Sequence, residues 1–249
     1  MKTLYTLALL TLLTTASAEV FISGPRSLTL AAGTSETVQY TLSNTSDAPV
    51  RATIFTNDYV QAPNGNLTHV PGKSLSQSLE RLMTFPAGGV VVPAKGSVVI
   101  PAKINVPTGA SGGYWGVVGV DAETAPVKAA GNSVGIHLRY AMVTALEVKD
   151  TIKHAVSIAN VAQEGGNLLV TFKNAGNAYE RLELRMTYQN AAGKAVDDVR
   201  PYVILPGTAD LTVPIPAGLT PGAYAVFLSA QYAGDAVAEA ASTLTVAGR

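Results

Sequence analysis

The 249-residue chain reads as an all-β protein: two consecutive immunoglobulin-like β-sandwiches behind a cleavable export signal. Three observations predict this. Short segments rich in Val, Thr, Tyr and Ile recur along the chain, divided by 23 glycines and 14 prolines. Within them apolar residues alternate with polar ones, the period of a half-buried strand. One theme also occurs twice. Val38–Asp47 and Leu168–Asn177 each end an alternating strand in an Asn-led polar turn, and the strand opened by Tyr114 has its partner in the strand opened by Tyr224.

Residues 1–18 carry the three parts of a signal peptide: Lys2, the apolar run Leu4–Leu13, and Ala16-Ser17-Ala18 before Glu19. The run is too short to span a bilayer comfortably. No cysteine follows to take a lipid, and the segment Thr243–Arg249 is no membrane anchor. The expected location is therefore outside the cytoplasm, in a periplasm or cell envelope.

In the first unit, 19–148, strands are expected at Ser27–Leu30, Val38–Ser43, Arg51–Tyr59, Val98–Val106, Tyr114–Ala122 and Val134–Val148. The residues Pro63-Asn-Gly-Asn66 suit a hairpin turn, because Asn and Gly tolerate positive φ. Leu75, Leu79, Leu82 and Met83 fall at helical spacing, so Leu75–Met83 is either one short helix or an irregular connector. The longest signal is the alternation over Val134–Val148, about 50 Å if extended at ~3.3 Å per residue. It leads to a boundary near Val148–Thr151.

The second unit, 149–249, repeats the scheme at Ala155–Val161, Leu168–Lys173, Arg181–Tyr188, Ala209–Ile215, Ala223–Tyr232 and Ser242–Ala247, with a turn at 190–193. Alternation assigns Tyr40, Leu42, Ile54, Trp115 and Val117 to the first core. It assigns Phe172, Leu184, Tyr224 and Val226 to the second. Tyr114 and Tyr224 are placed either as tyrosine corners, closing onto backbone, or as plain interior aromatics. Trp115, adjacent to Tyr114, must face the opposite side, as core or as a platform for sugar stacking.

Composition excludes much else. Lys plus Arg and Asp plus Glu both total 17, so no basic surface is available to displace counterions from nucleic acid. There is no cysteine, hence no disulfide, thiol nucleophile or cysteine-zinc site. His69, His137 and His154 lie on separate segments, and no hydrolase or metalloprotease motif occurs, so no catalytic residues, cofactor or metal site are expected. Asp121/Glu123 and Asp197-Asp198 offer acidic pairs where Ca²⁺ takes six or more oxygens. Asn44-Thr-Ser46 and Asn66-Leu-Thr68 fit the glycosylation pattern, but polar turn chemistry accounts for both.

At the Asn44-Thr-Ser-Asp47 turn, Pro86-Ala-Gly88 and Gly112-Gly-Tyr-Trp-Gly-Val117, the chain resembles the PapD-like periplasmic chaperones of pilus assembly, most clearly over Glu19–Val148. The resemblance implies two sandwiches that hold incomplete exported subunits of pili or other surface proteins. In that family the last strand of the first domain adds to the subunit's sheet edge. Val134, Ile136, Leu138 and Tyr140 would be the contributing side chains. Two basic residues hold the subunit's terminal carboxylate; Arg26 matches the first and Arg139 is the candidate for the second. A different class stays open: a structural or adhesive envelope module binding a surface protein or glycan through loops or a sandwich face.

Overall fold

The computed structural model describes residues 20–123, 127–129, 132–134, 137–232 and 234–248. Residues 1–18, read as a signal peptide, and Ile136 lie outside them. The described chain is all-β, arranged as two immunoglobulin-like sandwiches, and its one helical element is a single 3-10 turn at Leu79–Arg81. No helix among the described residues is long and apolar enough to cross a membrane.

The first half contains β1 (Val20–Ser23), β2 (Ser27–Leu30), β3 (Ser35–Asn44), β4 (Val50–Gln61), β5 (Leu67–Pro71), β6 (Met83–Thr84), β7 (Val90–Val92), β8 (Ser97–Asn105), β9 (Gly113–Glu123), β10 (Val127–Ala129), β11 (Asn132–Val134) and β12 (His137–Val148). One sheet runs β1-β3-β8-β6; the facing sheet runs β2-β12-β9-β4-β5, with β7 also on β4. Tyr40, Leu42, Ile104, Val118, Val120 and Leu146 fill the space between them, each essentially without solvent exposure. Each such side chain contributes about 1.5–3 kcal/mol of apolar burial.

The second half contains β13 (Val156–Glu164), β14 (Asn167–Asn174), β15 (Glu180–Asn190), β16 (Ala195–Ile204), β17 (Gly207–Pro214), β18 (Gly222–Tyr232) and β19 (Asp235–Val246). Its sheets run β13-β14-β17 and β16-β15-β18-β19. The alternation along β14, β15 and β18 puts Phe172, Leu184, Tyr188 and Val226 into a second core. β16 has no counterpart in the sequence pattern, because Asp197, Asp198, Arg200 and Pro201 interrupt its apolar alternation. Those residues suit the sheet edge it occupies.

Three sequence expectations are corrected here. The alternating run from Val134 is not one strand: Val134 pairs with Val127 in the separate β10-β11 hairpin, and the long strand begins at His137. Ile54 is only partly buried against the first core. Trp115 and Val117 are buried, but outside the first core. With Tyr59, Ala145 and Leu205 they form a third apolar cluster that joins the two halves.

That joint follows from β9, which is buried on both faces. Its even residues Val118, Val120 and Ala122 enter the first core, while Trp115 and Val117 meet the second half. Gly119 lies under the Phe55 ring, which occupies the space a Cβ would need. Hydrogen bonds reinforce the contact. Gln61 Nε2 donates to Val203 O at 2.8 Å and Leu205 N–H donates to Gln61 Oε1 at 3.0 Å. Asp210 N–H donates to Pro63 O at 2.7 Å and Gly113 N–H to Asn177 O at 2.8 Å.

Candidate functional site

The chain switches sheets between β1 and β2, at Gly24-Pro25-Arg26. Gly24 sits against the Tyr40 ring, so a larger residue would collide with it. Pro25 O accepts hydrogen bonds from Tyr40 Oη at 3.4 Å and Thr144 Oγ1 at 3.2 Å. One residue later, Arg26 O accepts the Ala145 N–H at 2.9 Å. Two strands, β3 and β12, thereby fix the backbone at Pro25 and Arg26, and the Arg26 side chain stays exposed.

The same Ala145 bond sets the polarity of β12. Backbone groups along a strand alternate sides, so the N–H and C=O of Arg139, Ala141 and Val143 point away from β9. β2 covers that side only from Ala145 to Val148, in parallel register with Ser27–Leu30. Among the described residues no strand pairs with this side of β12 from Leu138 to Thr144. Leu138 is half-buried there, and Tyr140, 40% exposed, meets the Phe21 ring edge-on at 5.5 Å. An unpaired edge thus sits beside an aromatic pair at the mouth of the first sandwich.

From Ala141 onward the edge lines a cleft between the two halves, with a volume of about 950 Å³. Arg26, Tyr59, Glu147, Tyr179, Arg181 and Tyr202 are among its lining residues. Burial, with Tyr179 adding to it, pushes the Tyr59 phenol up to about 12. Burial also raises Tyr179, opposed first by Arg181 and then by Arg26. Tyr232, which also lines the cleft, is raised by burial and by the carboxylates of Glu147 and Glu180.

Leu138 and Tyr140 thus lie along the open stretch of β12, and Arg26 lies where that stretch ends, beside Ala145. Val134 belongs to the neighbouring hairpin. Arg139 goes elsewhere. It pairs with Asp121 at 2.9 Å and stacks 4.8 Å over Phe55 on the outer sheet face. It also stands six residues before Ala145, about 20 Å along an extended strand. The residue that sequence reasoning misses is Arg181: it comes from the second half, and no local motif announces a contact across a cleft.

No family model matches this sequence, and no curated protein is similar to it. Solved structures are similar in fold. The class 5 fimbriae chaperone CfaA aligns with a TM-score of 0.48 and 14% identity, over 89% of this chain and 98% of that one. The E. coli chaperone DraB aligns with a TM-score of 0.43 and 12% identity, over 92% and 97%. A chain from the CsuC–CsuE chaperone–tip adhesion subunit pre-assembly complex of the archaic chaperone-usher Csu pili of Acinetobacter baumannii aligns with a TM-score of 0.51 and 12% identity, over 92% and 98%. Over nine-tenths of its length, the chain has the two-sandwich fold found in that complex.

Proposed function

We propose that the protein is an exported assembly chaperone that holds a strand-deficient pilus or surface-protein subunit by pairing β12 with the subunit's open sheet. The unit boundary is at 148/149. The observation that carries this reading is the open side of β12 from Leu138 to Thr144. A long unpaired edge invites association unless it is covered or used. Here it ends at a fixed, exposed arginine. Main-chain pairing to Arg139, Ala141 and Val143 supplies affinity, and Leu138 and Tyr140 set the register. Arg26 receives the terminal carboxylate of the bound chain through charge-assisted hydrogen bonds.

The test is capture from envelope extracts by wild type and by the double variant Leu138→Asp/Tyr140→Asp, with circular dichroism confirming that the variant stays folded. Loss of the captured subunits in the variant supports the reading. Equal capture by both proteins favours the envelope-module alternative, whose surface lies away from this edge.

A further inference from the structure

We propose that Arg139 is a positioning residue, whose side chain staples the open stretch of β12 to the outer sheet face and keeps it ready for strand addition. The inference rests on the reading of β12 as a binding edge, and gives that edge its means of support. From Leu138 to Thr144, β12 is paired with β9 on one side, and no strand among the described residues pairs with the other. A strand held from one side, with backbone groups open to solvent, belongs to the part of a fold that opens most readily. Arg139 stands near the start of that stretch, and its side chain reaches two strands. Its Nε donates to Asp121 Oδ2 at 2.9 Å, across the register of β12 with β9. Its guanidinium carbon lies 4.8 Å from the centre of the Phe55 ring, which comes from β4 on the far side of β9.

The neighbouring row of the sheet prepares the platform. Phe55, Gly119 and Ala141 lie in register across β4, β9 and β12, so the two smallest side chains stand beside the ring. Gly119 does not have a positive φ, and its backbone conformation does not call for glycine. Space does: a Cβ there would stand 2.3 Å from Phe55 Cζ. The ring therefore rests against the β9 backbone, and the guanidinium covers it. Each contact is modest on an exposed face. Their placement makes them count, because they act on the residue whose N–H and C=O begin the unpaired run of Arg139, Ala141 and Val143. In a complex the client strand supplies the second ladder, so the staple matters for the free edge and not for the bound one. An edge ordered in advance raises the binding-competent fraction, and with it the rate of association.

The first measurement is amide hydrogen exchange by NMR at Leu138 and Tyr140, whose N–H groups point to β9, in wild type and three variants. Arg139→Ala should speed both about fivefold, with Phe172 and Val226 in the second half unchanged. Arg139→Lys keeps a cation able to reach Asp121 and should recover part of the protection. Gly119→Ala drives Phe55 from its place and should speed exchange while the Asp121 pair remains. The second measurement is the binding kinetics of a twelve-residue alternating Val/Thr peptide, acetylated and amidated at its ends. Arg139→Ala should lower its association rate about two- to fivefold and leave its dissociation rate unchanged. Unchanged exchange at Leu138 and Tyr140 in Arg139→Ala overturns the staple. Faster dissociation at an unchanged association rate overturns it too, because the side chain would then be touching the peptide. No binding of the peptide to wild type removes the edge reading, and the positioning role falls with it even where exchange responds.

Discussion

Gln61 and Leu205 are joined as neighbouring strands would be, although they belong to different sandwiches. The Gln61 carbonyl accepts the Leu205 N–H at 3.0 Å, while its amide donates to Val203 O at 2.8 Å. Leu205 is buried, so removing the side chain leaves its N–H without a partner. Gln61→Ala should cost about 1–3 kcal/mol. Because the loss falls on the joint, urea unfolding should broaden or split into two steps, with each half keeping its own midpoint.

Trp115 is the only tryptophan, and it reports on that joint. Its indole N–H donates to Tyr59 O at 3.1 Å. Trp115→Ala should cost about 3–5 kcal/mol in chemical denaturation. In wild type, the fluorescence transition should precede the loss of far-ultraviolet circular dichroism if the halves separate before they unfold. Coincident curves would show that separation and unfolding are one event.

Asn44 and Asn174 occupy the same place in their sandwiches. Each is nearly fully buried, donates its amide to the carbonyl four residues on, and accepts the N–H two residues on. Each also reaches a second segment, Asn44 to Val92 O and Asn174 to Ile204 O. Replacement by Ala should cost about 1–3 kcal/mol at either site, since several backbone groups lose a buried partner. Amide hydrogen exchange should localise each loss to its own half.

Glu180 predicts a pH dependence. Its carboxyl is raised above 4.5 by burial, opposed by its 2.8 Å bond to His154 and reinforced by Glu147. The native state thus keeps a proton that the unfolded chain has lost. The contribution to stability is full below 4.5 and declines as pH rises through the raised value. Glu180→Gln removes this titration, so the variant's thermal midpoint should gain on wild type as pH rises. A constant offset across the series would contradict the assignment.

Much of this architecture is legible in the residues themselves. The Asn-led turns reveal the duplication because a buried amide serving two segments needs Asn at the end of each strand. Tyr224 closes onto Thr220 O at 3.0 Å as a tyrosine corner, whereas Tyr114 packs against the first core. The turn at 63–66 forms as its Asn and Gly suggest, but it also docks on the second sandwich through Pro63 O, which local chemistry does not encode. The four-residue strand β1 carries too short a pattern to stand out. Alternation identifies Trp115 as buried without saying against what, because both faces of β9 are covered. The same limit applies to the arginines. Arg139 has the right neighbours in sequence and the wrong position along its strand. Arg181 shares a cleft with Arg26 only through the packing of two separate sandwiches.

The double-sided burial of β9 makes the first half dependent on the second for its cover. The face carrying Trp115, Val117 and Ala145 is closed by Leu205 from the second half. Leu205 follows Ala145 by 60 residues, so a first half without the second shows bare apolar surface, the same hazard its proposed clients present. The first half produced alone should therefore aggregate, and supplying the second half in trans should restore its solubility.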